Sequence, residues 1–305
     1  MMLPFPAFSY EAPDTLDDAL ALSAEEGVQI VAGGTDLLPS IKHRLFAPRA
    51  LLSLRRLGLD GIEDTGVGGL HIGATATLRQ VRRDHRVSAR YPALAAACAT
   101  VGTRTIQEMG TLGGNVMLDT RCLFYNQPAG WRDAIGGCLK ADGHICHVAP
   151  RGKGCYAAHS ADTIPTLWLY DAVLEFASLR GPRRVAIRDL FDEDGRSWLK
   201  VEGDELLTAI HLPPPPAEVV VHRKLRLRGA IDYGLLLVAV QRQGLGARAI
   251  ISAVGPRPIA VSVAAADDLP EAARKAAQPL NTHAIATTWR KHMISVEVRR
   301  ALAEA

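Results

Sequence analysis

Cysteine is nearly absent from most of this chain: of five in all, only Cys98 lies outside the stretch from Cys122 to Cys155. Long apolar runs are missing too, and nothing approaches the roughly 20 consecutive residues that cross a bilayer, which argues against a membrane-spanning protein. Neither sign of charge dominates. With 35 Lys and Arg against 32 Asp and Glu, and a formal net charge of +3, the chain gives no reason to expect nucleic acid or an anionic membrane as a partner. The opening segment MMLPFPAFSYEAP has no basic stretch followed by an apolar one, so a cytoplasmic, reducing setting is expected. Neither G-x-G-x-x-G nor a P-loop occurs, which leaves Rossmann and Walker nucleotide sites without support. A helix-turn-helix, an internal repeat and a nucleophile–base pair are also missing, so a DNA-binding redox sensor is a remote reading.

Against that background, Cys122, Cys138, Cys146 and Cys155 fall together with the spacing C-x15-C-x7-C-x8-C. The residues between them include Gly130, Gly136, Gly137, Gly143, Gly152, Gly154, Pro128 and Pro150, which suit a loop and not a core element. A loop of this length inside a compact domain is usually functional or disordered, and Phe124, Tyr125, Trp131 and Tyr156 fit poorly with disorder. Something that binds the sulfurs would explain why it folds. Disulfides would require an oxidising compartment. Structural zinc would bring paired C-x2-4-C knuckles, which do not occur. His144 and His147 flank Cys146 as further possible ligands or as solvated loop groups. A 4Fe-4S cluster takes four thiolates at wide, irregular spacing and suits the pattern best.

Hydrophobic periodicity organises the rest. A helix at 14–26, a strand at 28–32, a helix at 37–45 and a strand at 50–53 make a small α/β unit. A strand at 70–73, a helix at 77–84 and an alanine-rich helix at 92–101 opened by Pro92 follow, with Cys98 as a small core residue. Beyond the cysteine loop come a helix at 161–171 and strands near 173–177 and 184–187. The run Pro213 to Pro216 reads as a linker. It leads to three strands at 218–227, 234–242 and 247–254 and helices near 270–278 and 283–303. Two glycine pairs stand out. Gly33-Gly34 lies between a strand and a helix, and Gly113-Gly114-Asn115 forms a second turn. Such turns let a ligand approach bare backbone and the free N–H groups of a helix start, although either could equally be a plain turn with Thr35 or Asp36 as a helix cap. Two of them would suit a ligand with two phosphates.

VAGGTDLLP (31–39), TLGGN (111–115), Ser160-Ala161-Asp162, AVGPRPI (253–259) and VRRAL (298–302) together resemble the FAD-binding medium subunit of the molybdenum hydroxylases, the group that includes xanthine dehydrogenase and carbon monoxide dehydrogenase. The resemblance covers nearly the whole chain. Most such subunits pass directly from the TxGGN turn to the S-x-x-D segment, whereas here a long insert holding all four clustered cysteines intervenes. TRCLFYNQ, CLKADGHICHV and GCYAAHSAD resemble the cluster-bearing insert of the 4-hydroxybenzoyl-CoA reductase β subunit. The implied fold class is α+β: a two-subdomain FAD-binding region of this flavoprotein kind with a cysteine-rich loop insert, and a C-terminal α+β domain with a three-stranded sheet and helices. The implied boundaries are 1–56 and 57–212 for the two FAD-binding subdomains, about 119–158 for the 4Fe-4S insert, and 217–305 for the C-terminal domain.

The resemblance also implies a flavin site. Val31, Ala32, Gly33, Gly34, Thr35, Asp36 and Leu37 form one turn around the FAD, and Thr111, Gly113, Gly114 and Asn115 form the other. Val101 lies against the cofactor, Asp162 hydrogen-bonds to it, Leu207 belongs to the same site, and Lys224 stands near the isoalloxazine, unless it is an ordinary solvated strand lysine. Cys122, Cys138, Cys146 and Cys155 become the 4Fe-4S ligands. Ile106-Gln107-Glu108-Met109 departs from the I-R-N-R that commonly precedes the TxGGN turn, so no arginine contact carries over there.

The implied role is electron transfer, with no catalytic residues in this chain and the substrate site on a partner. The resembled reductase is a heterotrimer with a molybdopterin-binding large subunit and a 2Fe-2S small subunit, assembled as a dimer of heterotrimers and active in aromatic compound catabolism. Electrons would run from a ferredoxin through the 4Fe-4S cluster and FAD to the small subunit and molybdenum. An aldehyde oxidoreductase of similar construction, with electrons flowing outward, is the alternative. Arg121, Arg132, Lys140, Arg151 and Lys153 would make the insert locally positive and attractive to an acidic ferredoxin.

Overall fold

Parallel pairing requires a crossover, and the N-terminal unit supplies two helical ones. In the computed structural model, which describes residues 4–305, strand β1 (Ser9–Glu11) is followed by α1 (Leu16–Ser23), β2 (Val28–Val31), α2 (Leu37–Lys42) and β3 (Ala50–Ser53). The sheet order is β1-β3-β2, all parallel, with Ala50 opposite both Ser9 and Val28. Thr15 caps α1 by accepting from the Asp18 N–H, and Ala19 and Leu20 turn inward against Leu52 and Leu54.

The middle unit is an antiparallel five-stranded sheet in the order β4-β5-β8-β6-β7, built from Ile62–Asp64, Leu70–Gly73, Leu206–Leu212, Val173–Ala177 and Arg183–Ala186. Between β5 and β6 the chain leaves the sheet to form α3 (Leu78–Arg83), α4 (His85–Arg90), α5 (Pro92–Thr100), α6 (Arg104–Met109), α7 (Leu112–Val116), α8 (Ala129–Ala134) and α9 (Ile164–Leu169). Thr77 and Gln80 form a reciprocal capping box at the start of α3, and Pro92 opens α5. Leu78, Val81, Leu94, Cys98, Ile164 and Leu167 from the helices meet Leu70, Ile72, Leu174 and Ile210 from the sheet in one core. The cysteine segment contains α8 as its only helix and is otherwise turns and loop.

The C-terminal sheet has four strands, not the three expected: β9 (Val220–Leu225), β10 (Leu236–Gln243), β11 (Gly246–Ser252) and β12 (Ile259–Val263), all antiparallel neighbours. Pro256 and Pro258 disguise the start of β12, which then alternates as IAVSV at the sheet edge. One face of this sheet packs Val221, Val238, Ala249 and Ile251 against α10 (Leu269–Ala276) and α11 (Thr287–Glu304). The other face sends Val220, Ala239 and Ile250 into the middle core. The proline run therefore separates two sheets that share a core. Among the described residues, no helix is long and apolar enough to cross a membrane.

A buried histidine, His159, and a partly buried one, His222, stand near this junction. The His159 N–H donates to Gly255 and its carbonyl accepts from Ala253, while His222 on β9 lies 3.5 Å from the Thr100 hydroxyl. Burial pushes both imidazoles down to about 3 from an ordinary 6.5. Below that ordinary value the unfolded chain therefore takes up protons that the native rings refuse. Stability should be flat above about pH 6.5 and fall below it, each ring costing about 2 kcal/mol by pH 5. Urea midpoints at pH 7.5, 6.0 and 5.0 check this, and a flat profile down to pH 5 contradicts it.

Candidate functional site

The two glycine turns meet. After β2, the chain turns at 32–36 with Gly34 in the left-handed region at φ +69° and enters α2. A Cβ on Gly33 would lie 2.0 Å from the Met109 carbonyl oxygen, so this glycine lets the first turn press against the end of α6. On the other side, Gly113 donates to the Ala74 carbonyl at 2.9 Å, Leu112 to Ala76 at 2.9 Å and Leu78 to Gly110 at 2.8 Å. A Cβ on Gly113 would sit 2.6 Å from that same Ala74 oxygen. Gly33 and Gly113 thus allow close backbone-to-backbone packing while both line the cavity. The Thr111 hydroxyl accepts from the Gly114 N–H at 3.0 Å and caps α7.

Neither Thr35 nor Asp36 caps α2 through its side chain. The Asp36 carboxylate instead accepts from the Tyr233 hydroxyl at 2.7 Å and pairs with Arg121, whose guanidinium lies 4.3 Å from the centre of the Tyr233 ring. Asn115 accepts both the Thr163 N–H and its hydroxyl, at 3.2 and 2.7 Å, and so fixes the segment that carries Asp162. Gln107 fills the place of the expected arginine pattern: its amide donates to the carbonyls of Ala99 and Val101 and its oxygen accepts from Arg82.

Lys224 is not a solvated strand lysine. Its side chain is 2% exposed, and its ammonium stands 2.6 Å from Asp162, which is 5% exposed. It also donates to the Thr100 carbonyl at 3.1 Å, and the Thr100 hydroxyl donates to Asp162 at 3.1 Å. Burial raises the Asp162 carboxyl while the Lys224 ammonium opposes that shift. Lys224 thus meets a carboxylate at the edge of the site instead of solvent.

These parts wall one cavity of about 430 Å³, within the size range of small-molecule sites. Every residue singled out from the flavin pattern lines it: the stretch Val31 to Leu37, Val101, Thr111, Gly113, Gly114, Asn115, Asp162, Leu207 and Lys224. Asp119, Trp198 and Tyr233 line it too, and sequence reasoning missed them. Nothing local marks Asp119 or Trp198, and Tyr233 carries only the signal of a turn-rich RGAIDYG stretch.

The four cysteines are all buried, and none is in a disulfide. Cys122, Cys138 and Cys155 pack together with Tyr125 and Ala157, and Cys146 is close enough to Cys138 and Cys155 to raise both thiols electrostatically. Burial, the larger cause, pushes Cys122 up to about 12 and Cys155 up to about 11. Three of the four backbones are pinned by a side-chain oxygen: Cys122 N–H donates to Asn126 at 2.9 Å, Cys138 to Asp142 at 3.0 Å and Cys155 to Asp194 at 3.2 Å. Among the described residues, no three His, Cys, Asp or Glu side chains form a group that could hold a metal ion. His144 is exposed, and His147 lies 2.6 Å from the Gly137 carbonyl and packs on Phe124.

The expected basic patch is largely internal. Arg132 is 2% exposed and Lys140 5%. Arg132 donates to Asp142 and to the carbonyls of Gln127, His43 and Arg44, tying the insert to the end of α2. Only Arg151 and Lys153 of the expected cations are exposed.

Comparison with known proteins decides the family. Residues 6–215 match the FAD binding domain in molybdopterin dehydrogenase. The chain belongs to this family. It is 32% identical over 271 residues to the aldehyde oxidoreductase FAD-binding subunit of Escherichia coli K12, covering 85% of each chain. It is 28% identical over 253 residues to the carbon monoxide dehydrogenase medium chain of Afipia carboxidovorans, covering 82% of this chain and 73% of that one. The crystal structure of a Cu,Mo-CO dehydrogenase in its cyanide-inactivated form superposes with a TM-score of 0.79 at 25% identity, covering 99% of both chains. The chain is thus an FAD-binding oxidoreductase subunit of the molybdenum hydroxylase family, with the α+β fold of those flavoproteins.

Proposed function

We propose that this chain is an electron-transfer subunit carrying FAD in the glycine-turn cavity and a 4Fe-4S cluster on Cys122, Cys138, Cys146 and Cys155. The observation that carries this reading is a shared wall: Asp119 and Trp198 line the cavity, Tyr125 packs on the cysteines, and Lys140 contacts all three. The cavity fits a flavin dinucleotide in kind, with bare backbone turns at one end and apolar Val101 and Leu207 among its walls. Four buried, free thiols in one insert supply the donor set of a cubane, in which each thiolate takes its own iron. FAD, when bound, accepts and releases electrons one or two at a time. The protein's part is to hold it on the two turns, seal it under the Tyr233, Asp36 and Arg121 contacts, and keep the sulfurs out of water.

A molybdopterin-binding subunit and a 2Fe-2S subunit complete this reading, with substrate chemistry outside this chain. Oxidation of an aldehyde is the favoured reaction, supported by the relative at 32% identity over 85% of both chains. Reduction of 4-hydroxybenzoyl-CoA is the second reading, supported by the sequence context of the cysteines. The native complex, purified anaerobically, separates them. The first reading expects an aldehyde to bleach the flavin. Chemically reduced flavin that reoxidises with 4-hydroxybenzoyl-CoA favours the second, and no response to either removes both substrates.

A further inference from the structure

Lys140 lies two residues past Cys138, yet its ammonium donates to Asp119 at 2.6 Å and also reaches the Thr120 hydroxyl and the Gly195 carbonyl. It stands 4.4 Å from the centre of the Trp198 ring and 4.9 Å from that of Tyr125. The partners point two ways. Asp119 and Trp198 face the cavity, whereas Lys140 itself does not line it. Gly195 donates its N–H to the Cys155 carbonyl at 2.8 Å, and a Cβ there would come 3.1 Å from the Cys155 sulfur. The Tyr125 hydroxyl donates to the other Asp119 oxygen at 2.8 Å, which fixes the carboxylate in place. Asp119 is thus the member of the pair that lines the cavity, and Lys140 stands behind it, joined to the Cys155 backbone through Gly195.

We propose that the Lys140–Asp119 pair is a fixed dipole in the wall between the two redox pockets, biasing an electron toward the cysteine side and away from the flavin. This inference rests on the two-cofactor reading above. Transfer across the wall makes and breaks no bond: one electron lost by the flavin is gained by the cluster. A buried cation stabilises the added negative charge next to it, a buried carboxylate destabilises it, and little solvent is present to screen either. Net charge and hydrogen bonding near a cluster are among the factors that set its potential. The orientation suits outward electron flow, as expected of a complex that oxidises an aldehyde. Lys140 acts here as a positioning and tuning residue, since it touches neither the cavity nor a sulfur directly.

The test is a spectroelectrochemical titration of the anaerobic chain, reading the flavin by absorbance and the cluster by paramagnetic resonance. Lys140→Gln should shift the cluster potential negative, and Asp119→Asn should shift the flavin potential positive, with Lys140→Arg close to wild type. The double variant Lys140→Gln/Asp119→Asn leaves no orphan charge and keeps the experiment valid if a single variant fails to fold. In it the two potentials should still move in opposite directions, which a merely structural pair would not produce. Unmoved potentials, or shifts of one sign, overturn the dipole while leaving both cofactors in place. A wild-type preparation with flavin and no iron–sulfur signal overturns the dipole together with the reading beneath it.

Discussion

Lys224→Met is expected to lower stability by about 3–5 kcal/mol, because it leaves the Asp162 carboxylate buried without its cation. Asp162 keeps only the Thr100 hydroxyl, 3.1 Å away, and its side chain is only 5% exposed. The loss should appear as a lower urea midpoint with an unchanged slope. Adding Asp162→Asn should restore most of it, since the orphan charge is then gone. The site would suffer as well, because this pair ties β9 to the end of α5 at the edge of the cavity. A loss below about 1 kcal/mol, the range of exposed pairs, would mean that water reaches Asp162.

Gly33→Val should abolish FAD binding and cost about 3 kcal/mol, since its Cβ has nowhere to go but into the Met109 carbonyl, 2.0 Å away. Relief requires the two turns to separate, and they are the two sides of the cavity. Gly130→Ala is the control, because a Cβ there meets nothing within 4 Å. Equilibrium dialysis against FAD and thermal unfolding read the two effects. Full flavin retention in Gly33→Val would show that the turns are not held together as described.

Local pattern made the α/β alternation readable: capped helix starts at Thr15 and Thr77, the Pro92 opening and the uninterrupted apolar run of β10 all announce themselves within a few residues. What depends on distant partners did not. Strand β8 finds its partners in β5 and β6, both far back in the chain, and β12 hides behind two prolines. The same division holds for the site. The glycine turns and the cysteine cluster are visible as motifs, but their closeness is not, because the insert folds back so that Arg132 reaches the end of α2. Charge counts misled most. Arg121, Arg132 and Lys140 read as a surface patch, and the structure turns each inward onto acceptors that only the fold brings near. Lys224, for which the sequence left a solvated position open, is instead buried against Asp162.

Two redox cofactors held by one chain, on either side of a shared wall, are tested most directly by iron, acid-labile sulfide and flavin analysis of the anaerobically purified protein. One FAD with about four irons and four sulfides per chain is the expected content, with loss of the iron and sulfide but retention of FAD in Cys155→Ser. Zinc without sulfide, or a flavin-replete chain with no iron, would contradict it.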